Sequence, residues 1–331
     1  MFLNLPPHID PKHPVLRQEY AVFTPPVGEM AAKLGDWIEQ QQPGGYVYGP
    51  SRFGKSRGVK WHVREILGER FAARLPLVIW VRPPDSQTSE AGFWKSWMLA
   101  ANHRFAKDKA PRGAAEWRNA FKEFLISAAL SAQASLIVFI VDEAQDMTLR
   151  EWKWLLGLQN TLDWEGFRLS VFSVAAHQMG YQYELMGHVD YAHVAARFMV
   201  AHWPFPGLSS EEELAFVLQG YDTDSEWPRG SGTSYLAHFA PLAFARGERL
   251  AHSAPVLWRV LEATLPADYR GPTMFPMQHV ARSVEEVLRR LARDDDWNEV
   301  VSQSSWIDML AMTHLDDHMR LVSAGMPATR R

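Results

Sequence analysis

The stretch Gly49-Pro50-Ser51-Arg52-Phe53-Gly54-Lys55-Ser56 sets two glycines, a lysine and a serine at the spacing G-x-x-x-x-G-K-[ST]. In a loop of this pattern the glycines let main-chain N–H groups come close to an anion. A helix that begins there adds the positive end of its dipole. Lys55 would reach the β- and γ-phosphates of a nucleotide, and Ser56 would ligate magnesium. A solvated surface turn is the plain alternative. A second segment decides between them: Leu136-Ile137-Val138-Phe139-Ile140-Val141-Asp142-Glu143 is an apolar run that ends in two acids. On a buried strand those carboxylates reach the C-terminal edge of a sheet, where open α/β sheets bind ligands. There Asp142 would hold the magnesium shell, and Glu143 would orient or deprotonate an attacking water.

The elements around these segments alternate. Residues 1–28 are proline-rich without apolar periodicity and read as an extended arm wrapping a domain surface. A helix over about Gly28–Gln42 stops at Pro43-Gly44-Gly45, and Tyr46–Tyr48 is a short strand. After the glycine loop, Val59, Val63, Ile66, Leu67 and Phe71 share one face of a helix that begins near Lys55. Leu77–Val81 reads as a strand buried on both faces. Helices follow over about Ser89–Phe105 and Ala114–Ala132, then the acidic strand, a helix over Leu149–Leu162 and a strand over Leu169–Val174. Phe198–Trp203 offers a fifth strand. Apolar strands alternating with helices imply a parallel sheet covered on both sides. From Ser209 the pattern is helical only, so the expected division is an arm over 1–28, a nucleotide-binding α/β domain over 29–208 and helices over 209–331. The last of these is expected over Trp306–Ser323 as one helix.

Composition is that of a globular protein, 47% hydrophobic and 22% charged. No apolar run is long enough to cross a membrane, and the N-terminus lacks the pattern of a secretion signal. Cysteine is absent, which removes disulfides and thiolate metal sites and fits a cytoplasmic location. The net charge of −4 is uneven: residues 1–141 carry 18 Lys+Arg against 12 Asp+Glu, and the rest 16 against 26. A positive N-terminal half permits contact with phosphate backbones, and chance asymmetry over a solvated surface explains the counts equally well.

The phosphate loop, the acidic strand, the order of elements and the helical C-terminal part resemble the AAA+ ATPases. Asp142-Glu143-Ala144-Gln145 narrows this to the transposition regulators of the TnsC/TniB/MuB group and the secretion ATPases of the ExeA type. His13-Pro14, the arm leading into YVYGPSRFGKS, and RPPDSQTSEAGFWKSWM lean toward TnsC/TniB. The resemblance implies an AAA+ P-loop fold with a smaller α-helical lid, and it implies ATP and Mg2+ as cofactors. It assigns Gly49, Pro50, Ser51, Arg52, Phe53, Gly54, Lys55, Ser56 and Arg57 to the nucleotide. Arg197, just before the fifth strand, takes the place of the finger that reaches a neighbour's γ-phosphate, unless it pairs with a local carboxylate. These ATPases carry a small polar residue at the end of the fourth strand. Here Ala175-Ala176 stands instead, with His177 or Gln178 as substitutes, and Arg259 is a candidate lid arginine.

The same resemblance places duplex DNA against Lys95, Lys107, Lys109 and Arg112, though a solvated basic loop explains each of them as well. It implies a homo-oligomer, either a ring or a helical filament, on target DNA. That assembly would link a TniQ-like targeting factor to a transposase, and a CRISPR-associated transposon is one setting for it. The alternatives are an ExeA-like secretion-complex ATPase or a nucleotide switch that binds no DNA.

Overall fold

Five strands form one parallel sheet: β1 (Gly44–Tyr48), β2 (Leu77–Val81), β3 (Leu136–Asp142), β4 (Arg168–Ala175) and β5 (Ala201–Pro204), in the order β2-β3-β4-β1-β5. The computed structural model describes residues 6, 8–84, 89–104, 113–188, 191–267 and 269–325. They fall into a sheet unit, Glu29–Pro50 with Lys55–Phe205, and a helical unit drawn from Met1–Gly28, Ser51–Gly54 and Pro206–Arg331.

In the sheet unit successive side chains of each strand point to opposite faces. Ile137, Phe139 and Val141 of β3 join one apolar cluster with Trp94, Trp97 and Phe121 from the helices Glu90–Ala100 and Ala114–Ser131. Their alternates Val138 and Ile140 are equally buried but face away from that cluster. On that second side the helix Pro25–Glu39 stacks Trp37 on Phe172 of β4, ring centroids 5.7 Å apart. Both faces are therefore covered, which is why β3 is apolar up to Asp142 and why β4 is buried from Leu169 to Ala175, Ser170 and Ser173 included. β2 departs from the expectation of burial on both faces. It is an edge strand, as β5 is at the other end, and Val78 and Trp80 are buried while Val81 stands 56% exposed.

The register lines up the strand ends. Val81 pairs with Asp142 and Asp142 with Val174; Ala175 pairs with Tyr48 and Tyr48 with Pro204. The loops that leave β1 and β3 therefore start from one level of the same edge. The result is an α/β fold, a five-stranded parallel sheet flanked by helices with further helices C-terminal to it.

In the helical unit, two expectations are corrected. The N-terminal segment is more than a surface strap: Ile9, Val15, Leu16, Tyr20 and Val22 are buried in the core of this unit. Irregular spacing hid them from a periodicity reading, because only the turn Pro14–Arg17, capped by His13, is helical there. The C-terminal helix is two helices, Gln303–Met312 and Leu315–Gly325, broken where His314 takes a left-handed φ of 58°. The break lets His318 meet His279 at 2.8 Å, while Thr313 Oγ1 lies 2.8 Å from the other nitrogen of His279. Phe53 also packs in this unit, 2% exposed, with its ring edge-on to His318.

Candidate active site

The glycine loop leaves β1 and runs into the helix Lys55–Gly58, followed by a π turn at Val59–Val63 and the helix Arg64–Arg70. Its two glycines are required for different reasons. A Cβ on Gly49 would stand 3.0 Å from the Phe205 carbonyl oxygen, so any side chain there crowds the backbone. Gly54 has φ +112°, which disfavours any L residue, and Arg52 before it has φ 68°.

Lys55 is 7% exposed, and its ammonium donates to the carbonyl oxygens of Gly49 at 2.9 Å and Pro50 at 2.6 Å. Burial lowers its pKa to about 8, opposed by the attraction of Asp142 and Glu143. Ser56 Oγ donates to Asp142 Oδ1 at 3.1 Å and lies 3.4 Å from Glu143 Oε1. Burial raises the Asp142 carboxyl to about 6 against the hydrogen bond from Ser56, with the charge of Glu143 adding to the rise. A hydroxyl and a carboxylate within hydrogen-bond distance make an all-oxygen pair suited to a hard cation such as Mg2+. Glu143 adopts φ 56°, ψ 37°, a left-handed conformation for a residue with a side chain, and one of its carboxylate oxygens, Oε2, accepts from Gln145 Nε2 at 2.7 Å.

The structure thus brings together Lys55, Ser56, Asp142 and Glu143, four residues proposed from spacing alone. Arg57 and Ser56 line a cavity of about 410 Å³ with Lys60, Arg64 and Asp142. Arg197 ends the helix Ala192–Phe198; it is exposed and forms no ion pair with any described residue. Gln178 opens the helix Gln178–His188 and is exposed, whereas His177 is half-buried with its Nε2 unpartnered among the described residues. Burial, then the charge of Lys55, lowers the pKa of His177. Arg259 is exposed and donates from Nε to Pro255 of its own helix. Lys95 holds its ammonium over the Trp117 ring, 5.9 Å from the centroid, while Lys107, Lys109 and Arg112 lie outside the described residues.

Two groups went unread in the sequence. Gln145 was visible as the fourth residue of the DEAQ tetrad, but nothing in its spacing announced a bridging amide. Arg82, after β2, pairs at 3.2 Å with Glu151 where both side chains are 1% exposed, and its main-chain N–H donates to the Asp142 carbonyl at 3.0 Å. It thereby ties the end of β3 to the helix Leu149–Trp164 that follows the acidic turn.

A glycine loop leaving β1 thus lies beside an acidic pair closing β3 at one edge of a parallel α/β sheet. No protein-family model matches the chain, and no curated protein matches it in sequence. Solved structures do. The Aeropyrum pernix ORC2 protein (ADPNP–ADP complexes) is 13% identical, with 94% of this chain and 98% of that chain covered and a TM-score of 0.45. Drosophila ORC bound to DNA is 12% identical, with 91% and 67% covered and a TM-score of 0.49. AMPPCP-bound DnaA from Aquifex aeolicus is 13% identical, with 95% and 96% covered and a TM-score of 0.34.

Proposed function

We propose that the chain binds ATP with Mg2+ and hydrolyses it at a site completed by a second copy, and that this cycle controls its assembly on duplex DNA as a regulator of transposition. The observation that carries the hydrolytic reading is the cluster of buried Lys55 and Asp142 with exposed Ser56 and half-buried Glu143 at one sheet edge. Lys55 exchanges the carbonyls of Gly49 and Pro50 for phosphate oxygens, with its charge held in place by a buried stem. Ser56 and Asp142 hold the magnesium, which neutralises charge on the phosphates when bound. Glu143 takes the proton of the attacking water. Arg197, exposed and without an ion pair among the described residues, supplies the guanidinium that a neighbour's site lacks. Arginine fingers of this kind are worth about 10³ to 10⁵ in rate.

In this reading residues 29–208 are the nucleotide-binding domain and 209–331 the lid. The DEAQ tetrad and the arm sequence favour transposition over other uses of the fold, with a transposase and a TniQ-like factor as partners in the cytoplasm. Among the described residues no helix is long and apolar enough to cross a membrane. Filter binding to duplex DNA tests the proposal. DNA retained with a non-hydrolysable ATP analogue and released without it is the expected result, and retention should fall steeply with salt. No retention under any nucleotide refutes the DNA-regulator reading.

A further inference from the structure

The end of β4 carries Ala175 and Ala176, neither of which can touch a phosphate or a water through a polar side chain. The residues next in line do not make good the lack, since Gln178 is exposed and His177 Nε2 has no partner among the described residues. A polar side chain nevertheless reaches this point from the other side. Gln145, in the turn Ala144–Asp146, accepts from the Ala176 N–H through Oε1 at 3.0 Å and donates from Nε2 to Glu143 Oε2 at 2.7 Å.

Chemistry fixes the orientation of this amide. A backbone N–H can only donate, so the oxygen of Gln145 must face Ala176 and its nitrogen must face Glu143. Glu143 then has to accept, as a carboxylate does. The turn itself is anchored, because the main-chain oxygen of Gln145 accepts from Gln182 Nε2 at 2.5 Å. Ser56 Oγ, 3.4 Å from Oε1, stands at the other oxygen of Glu143. One oxygen is held by a firm amide bond and the other by a long, yielding contact.

We propose that Gln145 is a positioning residue for hydrolysis: it ties Glu143 to the end of β4, and so does from the β3 turn what a polar residue on β4 would otherwise do. The inference rests on the reading of Glu143 as the base. Gln145 keeps Oε2 pointed toward the strand end and leaves Oε1 as the oxygen that turns to water. Because it touches Glu143 and β4 but not Lys55 or Ser56, it bears on turnover rather than on nucleotide affinity.

Three variants test this, each measured for kcat, for affinity of a non-hydrolysable ATP analogue and for thermal unfolding. Gln145→Ala removes both bonds. Gln145→Glu keeps the shape and the acceptor for Ala176 but replaces the donor with a second carboxylate, so its behaviour reports the hydrogen bond rather than the packing. Both should lower kcat by about tenfold to a hundredfold, the size of one lost hydrogen bond to a charged group, with analogue affinity within twofold of the parent. Glu143→Gln is the companion. If it hydrolyses ATP at the parental rate, the base reading falls, and the role of Gln145 with it. If it is inactive while Gln145→Ala and Gln145→Glu keep parental kcat, only the positioning inference is overturned. Affinity lost in step with kcat in the Gln145 variants also overturns it, since that pattern marks a packing role.

Discussion

Replacing Lys55 by methionine should remove most of the nucleotide affinity and leave the fold standing, and both effects can be sized. The ammonium donates to two neutral carbonyls, those of Gly49 and Pro50. In the proposed reading, nucleotide uptake exchanges them for charged phosphate oxygens. Hydrogen bonds contribute about 0.5–1.5 kcal/mol to neutral acceptors and about 1.5–3 kcal/mol to charged ones, so two exchanges gain roughly 2–3 kcal/mol. Losing that gain weakens binding by roughly 30- to 150-fold. The stability effect follows from the same burial. The folded chain holds Lys55 at about 8 against an ordinary 10.5, so it binds this proton less tightly than the unfolded chain does. At about 1.36 kcal/mol per pH unit, keeping the group charged at pH 7 destabilises the fold by about 3 kcal/mol. That penalty is full below pH 8 and fades as the pH rises toward 10.5. Methionine abolishes it and retains the buried stem, and the two lost carbonyl bonds give back about 2 kcal/mol, so the net change is within about 1–2 kcal/mol of zero. Equilibrium titration with a fluorescent ATP analogue and Mg2+ reads the first effect, and a melting curve reads the second. Affinity within threefold of the parent would refute the placement of Lys55 at the phosphates. A collapse of the melting temperature would refute the cost assigned to its burial.

Two further outcomes follow from the same cluster. Burial holds the Asp142 carboxyl near 6, above its usual value of 3.8, so the folded chain keeps this proton more tightly than the unfolded chain and the group's contribution to stability falls as pH rises from 3.8 to 6. A ligand for Mg2+ must be deprotonated, so the Mg2+-dependent part of analogue binding should fade as pH drops through about 6; the same fade in Asp142→Asn would sink this assignment. Arg197→Ala should be inactive alone and should regain hydrolysis when mixed with the Lys55→Met protein, since a Lys55→Met neighbour still supplies the guanidinium to an Arg197→Ala site whose own Lys55 is intact. Mixtures no more active than either variant would show that Arg197 serves no neighbour.

What the sequence made legible, and what it did not, follows from the range over which each kind of information acts. The glycine loop and the acidic strand could be read because their chemistry is local: Gly54 must be glycine at φ +112°, and Asp142 must end an apolar strand, whatever the rest of the chain does. β3 was legible for the same reason, since a strand covered on both faces is apolar at nearly every position. β2 looked identical in sequence, Leu77-Val78-Ile79-Trp80-Val81, yet it lies at the edge, because apolarity records how a strand is composed and not which neighbours it draws. The N-terminal segment failed in the opposite way, burying Ile9, Val15, Leu16, Tyr20 and Val22 without any period a helix or strand would impose.

The wiring between site residues was the least legible part, and Gln145 shows why. Its amide matters because β4 lies between β1 and β3 in the sheet, which brings Ala176 within 3.0 Å of a side chain 31 residues earlier. That adjacency is a property of strand order, and strand order is decided by packing over the whole unit. A glutamine two positions after Glu143 has no local reason to be anything but a turn residue. In the proposed site, the groups assigned to phosphate and metal are set by the motif, and the groups assigned to aim the base are set by the topology. Substitutions of the first kind should therefore act on binding and those of the second kind on turnover, so Lys55→Met and Gln145→Glu should separate cleanly in one pair of titrations.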